Sequence, residues 1–128
     1  MSREIKFRGK DTQTGKWRYS MTISRQAYDD DEIFTYYIGA GFNTVNGKTL
    51  GQYTGLTDKN GTNIYEGDIV TGLFLHGMSI DAVVTFKNGA FGLEWNRGGV
   101  NTFNAFTSIC NVEYEVIGNI HDNPELLN

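Results

Sequence analysis

The segment Gln52–Val70, QYTGLTDKNGTNIYEGDIV, decides how this chain folds. It alternates turn chemistry with short apolar runs. Asp58-Lys59-Asn60-Gly61 is a hairpin signal, because asparagine and glycine tolerate positive φ and Asp58 can accept bonds from the backbone ahead of it. Glu66-Gly67-Asp68 then stands just before Ile69 and Val70. There Gly67 supplies an unusual backbone angle and Asp68 closes the turn onto backbone N–H groups, feeding the chain into a strand. Such punctuation predicts strands joined by tight turns.

Downstream, Ile80, Ala82, Val84 and Phe86 alternate with Ser79, Asp81 and Thr85. After Asn88-Gly89, the residues Phe91, Leu93 and Trp95 share a face. A two-residue turn at Asn88-Gly89 sets Phe86 opposite Phe91, Val84 opposite Leu93 and Ala82 opposite Trp95. Every apolar pair then lands on one face, so register and pattern agree. His76-Gly77 turns the preceding strand, Ile69 to Leu75, into this hairpin. The segment Arg97 to Phe106, RGGVNTFNAF, reads as a long, exposed, flexible loop, with a binding surface as the sharper alternative. Val112, Tyr114 and Val116 alternate against Asn111, Glu113 and Glu115, which predicts a last strand from about Ser108 to Ile120. Pro124 starts a short terminal turn to Leu127, with Leu126 and Leu127 packing back on the body. Together these strands predict a small SH3-like barrel in the C-terminal part, about residues 51–128.

Upstream, Ile5 and Phe7 alternate with Glu4, Lys6 and Arg8, and Trp17, Tyr19, Met21 and Ile23 alternate with Lys16, Arg18, Ser20 and Thr22. The turn cluster Asp11 to Gly15 joins the two runs into an antiparallel hairpin. Ser24 caps a short helical turn through Tyr28. Ile33 to Ile38, IFTYYI, is apolar on both sides and reads as a central strand. Asn46-Gly47 signals a further hairpin. These elements form an N-terminal β layer or subdomain over about residues 1–50. The expected fold is therefore mostly β with little helix, in a single domain of two subdomains.

Composition agrees. The chain has 128 residues, 16 glycines and one proline, which suits strands and turns. A chain of this length buries enough surface to need no disulfide or structural metal. Cys110 is the only cysteine, so no internal bridge exists, and a buried thiol in a strand is its simplest reading. The net charge of −4 works against nucleic acid as the main partner. Met1 to Lys10 has no apolar core of a secretory signal, and no apolar run approaches a membrane span, so a cytoplasmic location is expected.

Several chemistries can be weighed. Glu66 and Asp68 are the best acid pair for acid–base or metal work. His76 and His121, the only histidines, lie far apart and carry no metal-ligand spacing. The acidic run Asp29 to Glu32 reads as a solvated loop, with a calcium site as the sharper alternative. Gly39-Ala40-Gly41 lacks the third glycine and the βαβ setting of a dinucleotide motif. Tyr36, Tyr37, Tyr53, Tyr65, Phe103 and Phe106 are candidate base-stacking rings, beside the cations Lys6, Arg8 and Arg97. Lys6, Arg8, Tyr53, Tyr65, Arg97 and Phe103 are thus the candidate binding residues. No catalytic residue, metal or cofactor is expected.

Three segments resemble one known family in order and spacing. They are REIKFRGKD (Arg3 to Asp11), the segment QYTGLTDKNGTNIYEGDIV, and YEVIGNIHDNPELL (Tyr114 to Leu127). On these the chain resembles the YopX family, found in phages and prophages of bacteria. The resemblance implies a mostly β fold with an SH3-like barrel in the C-terminal part. It brings no established activity, substrate or site residue. The expected role is a non-enzymatic β module that binds a phage or host protein, or itself. The alternative is a nucleic-acid binder in phage DNA or RNA metabolism, and a third reading is a hydrolytic or metal-dependent enzyme using Glu66 and Asp68.

Overall fold

A computed structural model describes residues 4–27, 34–75, 77–106 and 114–127. They group into two compact units, Met1–Tyr53 and Thr54–Asn128. Among the described residues no helix is long and apolar enough to cross a membrane. The expected acidic run Asp29 to Glu32, His76 and Cys110 lie outside the described residues, as does the expected strand from Ser108 as far as residue 113.

The first unit holds β1 (Phe7–Lys10), β2 (Trp17–Ser20), β3 (Ile23–Ala27), β4 (Phe34–Ile38), β5 (Asn43–Val45) and the start of β6 (Gly51–Thr57). The expected hairpin forms: β1 and β2 are antiparallel, with Arg8 opposite Tyr19 and Lys10 opposite Trp17. On its other side β1 pairs with β6, with Arg8 opposite Gly51. The turn between β1 and β2 is held by Asp11, whose Oδ1 accepts the N–H of Gln13 (2.8 Å) and of Thr14 (3.1 Å). The alternating run Trp17–Ile23 does not continue as one strand. It bends at Met21, and Ile23–Ala27 pairs instead with β4 as the edge of a separate sheet, β3-β4-β5. The helical turn expected from Ser24 is therefore strand, because pairing with the aromatic β4 overrides a weak capping signal. Of the central strand expected over Ile33–Ile38, Phe34–Ile38 lies among the described residues and is the central strand of its sheet. Asn46-Gly47 makes no hairpin. Asn46 caps a 3-10 turn, Gly47–Thr49, through its side chain and Lys48 N (3.0 Å), and β5 pairs back to β4.

The second unit holds the rest of β6, then β7 (Asn63–Tyr65), β8 (Asp68–Leu75), β9 (Met78–Lys87), β10 (Ala90–Arg97), β11 (Val100–Ala105) and β12 (Glu115–Asn119). The Asn60-Gly61 hairpin joins β6 to β7. The main sheet is antiparallel in the order β11-β10-β9-β8-β12. Its central hairpin has the register expected from the sequence, with Phe86 opposite Phe91 and Val84 opposite Leu93. Asn88 and Gly89 at the turn have φ of 53° and 80°, the twist a two-residue hairpin requires. β8 and β9 are joined across residues 76 and 77, with Leu75 opposite Met78.

Two expectations fail here. No sheet closes into a barrel among the described residues. The five strands form an open sheet whose edges, β11 and β12, pair with β10 and β8 and not with each other. The segment Arg97–Phe106 is not a loop. Gly98 and Gly99, with φ of 60° and 84°, make a second two-residue turn, and Val100–Ala105 returns as β11 with Arg97 opposite Val100 and Trp95 opposite Thr102.

The core of this unit is a cluster of Ile64, Val70, Ala82, Val84, Leu93, Trp95, Phe106 and Tyr114, each less than a tenth exposed. Burying each of the larger side chains contributes about 1.5–3 kcal/mol. Burial also pushes the Tyr114 hydroxyl up to about 12. The expected terminal turn is a 3-10 turn, Pro124–Leu127.

Candidate binding surface

The edge strand β11 is the feature of the second unit best built to take a partner. An exposed strand edge is a template for pairing with another chain, and proteins guard such edges with charge, short length or bulges. The other described edges are guarded. β2 carries Arg18 and β3 carries Arg25, while β5 and β7 are three residues each. β12 carries Glu115 and a register break between Val116 and Gly118. β11, VNTFNA, has six residues, no charge, no proline and no break in its register with β10.

The direction of its backbone groups follows from the turn. Residues flanking a two-residue hairpin turn exchange both backbone bonds, and bonded and non-bonded pairs then alternate. Arg97 and Val100 flank the turn. Val100, Thr102 and Asn104 therefore point their N–H and C=O groups toward β10, while Asn101, Phe103 and Ala105 point theirs away from it.

The side chains of Asn101 and Phe103 lean away from the outer edge of β11. Asn101 Nδ2 donates to Glu94 Oε2 at 2.8 Å. Phe103 lies over Gly92 of β10, where an added Cβ would come within 2.7 Å of the ring carbon Cζ. A ring folded over a glycine in a sheet covers the exposed backbone there. The sequence marks Phe103 as a stacking ring, but its ring face is spent on Gly92. The Lys87 ammonium bonds and pairs with Glu94, and with Asn101 it holds that carboxyl below the usual range against the opposing effect of burial. The one carboxylate directly behind the edge is thus compensated.

At β9 and β10 lies a groove of about 700 Å³, lined by Ile80, Val83, Trp95, Leu126 and Leu127 among others, to which β11 contributes Asn101. Its walls mix apolar side chains with amides and charges, as a site for alternate side chains of an extended segment would. The expectation that Leu126 and Leu127 fold back is met to this extent, and both stay partly exposed at 36% and 44%. Arg97, also at the groove, donates from Nη2 to Met78 Sδ.

The remaining candidates fall elsewhere. In the first unit, the Lys6 ammonium stands 5.9 Å from the Tyr53 ring centre, and the Arg8 guanidinium 4.5 Å from that of Trp17. The structure sets Lys6 beside Tyr53, a pairing the sequence did not specify, and adds Trp17 beside Arg8. Yet Arg8 and Tyr53 are buried, as is Tyr65 in the second unit, so these rings do not offer open faces to bases. Asp68 is also buried, and its Oδ2 accepts the backbone N–H of Tyr65 at 2.8 Å. That is the turn-closing role read from the sequence. Among the described residues no group of three or more His, Cys, Asp and Glu side chains is placed to hold a metal.

The sequence marks this segment as a candidate binding surface but reads it as a loop, so β11 as a strand is what it misses. The signal was present: Gly98-Gly99 flanked by strand-forming residues is as good a turn as Asn88-Gly89.

Comparison with known proteins follows the fold. The family model described as YopX protein matches residues 6–128. Among solved structures, the chain is similar to "Crystal structure of protein EF1440 from Enterococcus faecalis", with 28% identity and a TM-score of 0.57 over 99% of this chain and 100% of that one. No curated protein matches the chain.

Proposed function

We propose that this chain, which belongs to the YopX protein family, is a non-enzymatic binding module that takes an extended protein segment by strand addition at β11. The observation that supports it is β11, an uncharged edge strand among the described residues, with the backbone groups of Asn101 and Phe103 directed away from β10. Main-chain bonds along an added strand give affinity, and a neighbouring groove selects alternate side chains. The partner is a phage or host protein, or a further copy of the chain, met in the bacterial cytoplasm.

Proline at an outward-facing edge position removes the donor to a partner without removing a bond to the neighbouring strand. Capture of proteins by the tagged full chain from nuclease-treated bacterial lysate should therefore be lost in Asn101→Pro and kept in Asn101→Ala, which retains the N–H. Identical capture by both variants would overturn the reading.

A second reading is single-stranded nucleic acid on the β1–β2 face. Tyr19 is 53% exposed there, and Lys10 stands 5.6 Å from the Trp17 ring centre. Stacking beside cations is a sequence-tolerant way to hold bases. Binding to a labelled oligonucleotide that weakens with salt and is lost in Tyr19→Ala with Lys10→Glu would favour it, because phosphate contacts release counterions. No binding at low salt would exclude it.

A further inference from the structure

We infer that the segment added at β11 is β11 of a second copy, so that two chains join their sheets across a twofold axis at Thr102. This rests on the strand-addition reading and names its occupant.

A twofold axis perpendicular to a sheet sets identical strands antiparallel and keeps each face on its own side. Residues that meet must then share a face, so the sum of their numbers is even. Backbone groups must also meet backbone groups. On this edge Asn101 and Phe103 direct theirs outward, by the alternation from the Gly98-Gly99 turn. A register with Thr102 on the axis pairs Asn101 of one copy with Phe103 of the other, and the reverse, so Asn101 and Phe103 each exchange both their bonds. Thr102 then faces Thr102 as a non-bonded pair, the closely spaced kind, and Thr–Thr cross-strand pairs are favourable.

The chemistry of the edge favours a copy of itself. Like charges facing one another across a twofold oppose self-pairing, and β11 carries no charge. Glu94, the carboxylate behind it, is compensated within its own chain by Lys87. Asn101 is drawn inward to Glu94, and Phe103 lies back over Gly92, so neither side chain blocks the approach of the second backbone. A sheet edge with no charge along it is an aggregation hazard when left single, and a closed twofold pair removes it.

The test uses the full chain. Light scattering over a range of concentrations should show a dimer. In a Cys110→Ser background, Thr102→Cys should form an intermolecular disulfide on mild oxidation, since closely spaced pairs fall within disulfide reach. Asn104→Cys, which this register sets opposite Val100, should not. Asn101→Pro should raise the dimer dissociation constant at least about tenfold with its circular dichroism retained. A monomer at every concentration, with no Thr102→Cys cross-link, would overturn the inference. If that monomer still captured a protein that Asn101→Pro alone loses, strand addition would stand with a different occupant. A dimer indifferent to Asn101→Pro would overturn both.

Discussion

Asp58 holds Val116 across 58 residues of sequence: its Oδ2 accepts the Val116 backbone N–H at 2.9 Å. Its Oδ1 accepts from Asn60 (2.8 Å) and Thr62 (2.9 Å), the two amides of the β6–β7 hairpin. One carboxylate thus shapes a turn and ties that turn to the start of β12. Lys59 adds a backbone bond to Tyr114 O at 3.2 Å.

Replacing Asp58 by alanine leaves these amides without their acceptor. The Asp58→Ala protein should lose roughly 2–4 kcal/mol of unfolding free energy, at the cost of about 1–3 kcal/mol for each donor left unsatisfied where water does not reach it. Urea denaturation would show this as a lower midpoint with an unchanged slope. An unchanged midpoint would mean that the tie to Val116 is not formed in solution.

The same carboxyl predicts acid sensitivity. Burial pushes the Asp58 carboxyl up, but the bonds from Val116, Thr62 and Asn60 outweigh it and hold the group below its ordinary value of 3.8. The folded state therefore favours the ionised form. Its contribution is complete above the unfolded-chain value and is lost as pH falls through the folded-state value. Midpoints measured from about pH 6 to about pH 3 should fall for the parent chain and fall less for Asp58→Asn, whose amide does not titrate. Asp11 and Glu94, also held low, act in the same direction, so the variant should retain some slope.

Gly92 is where β10 lets β11 approach. A Cβ there would collide with the backbone oxygen of Asn104 and come within 2.8 Å of Ala105 Cα. Backbone atoms of a paired strand cannot give way as a side-chain tip can. Gly92→Ala should destabilise by roughly 1–3 kcal/mol and raise amide exchange along β11 more than along β8. Uniform exchange rates would show that the strand is not displaced.

The turn at Asn88 is a separate test. Its φ of 53° suits asparagine and strains a β-branched residue. Asn88→Val should cost roughly 1–2 kcal/mol, and Asn88→Gly much less. Thermal unfolding midpoints of the pair, compared with the parent, check it.

Much of the second unit is legible along the chain. The β9–β10 register was readable because a two-residue turn and a period of two leave one alignment that buries Val84 and Leu93 together. The roles of Asp58 and Asp68 in their turns were readable because their amides lie within four residues. The split at Met21 was not readable: Trp17 to Ile23 alternates without interruption, and which strand each half joins depends on β1 and β4. The loop expected over Arg97–Phe106 became a strand because the polar residues of VNTFNA pair with β10, and pairing is not written in hydrophobicity.

The sequence alone determined that this chain is built of antiparallel strands punctuated by tight turns such as Asn60-Gly61 and Asn88-Gly89, and which face of its central hairpin is buried. Those properties are local, set by φ preferences and side-chain alternation over a few residues. Only the tertiary structure decided the strand order of the C-terminal sheet, that Asp58 reaches Val116, and that β11 is an edge strand among the described residues. These depend on which strands end up side by side, and backbone pairing is nearly blind to side-chain identity, so residue patterns do not specify it.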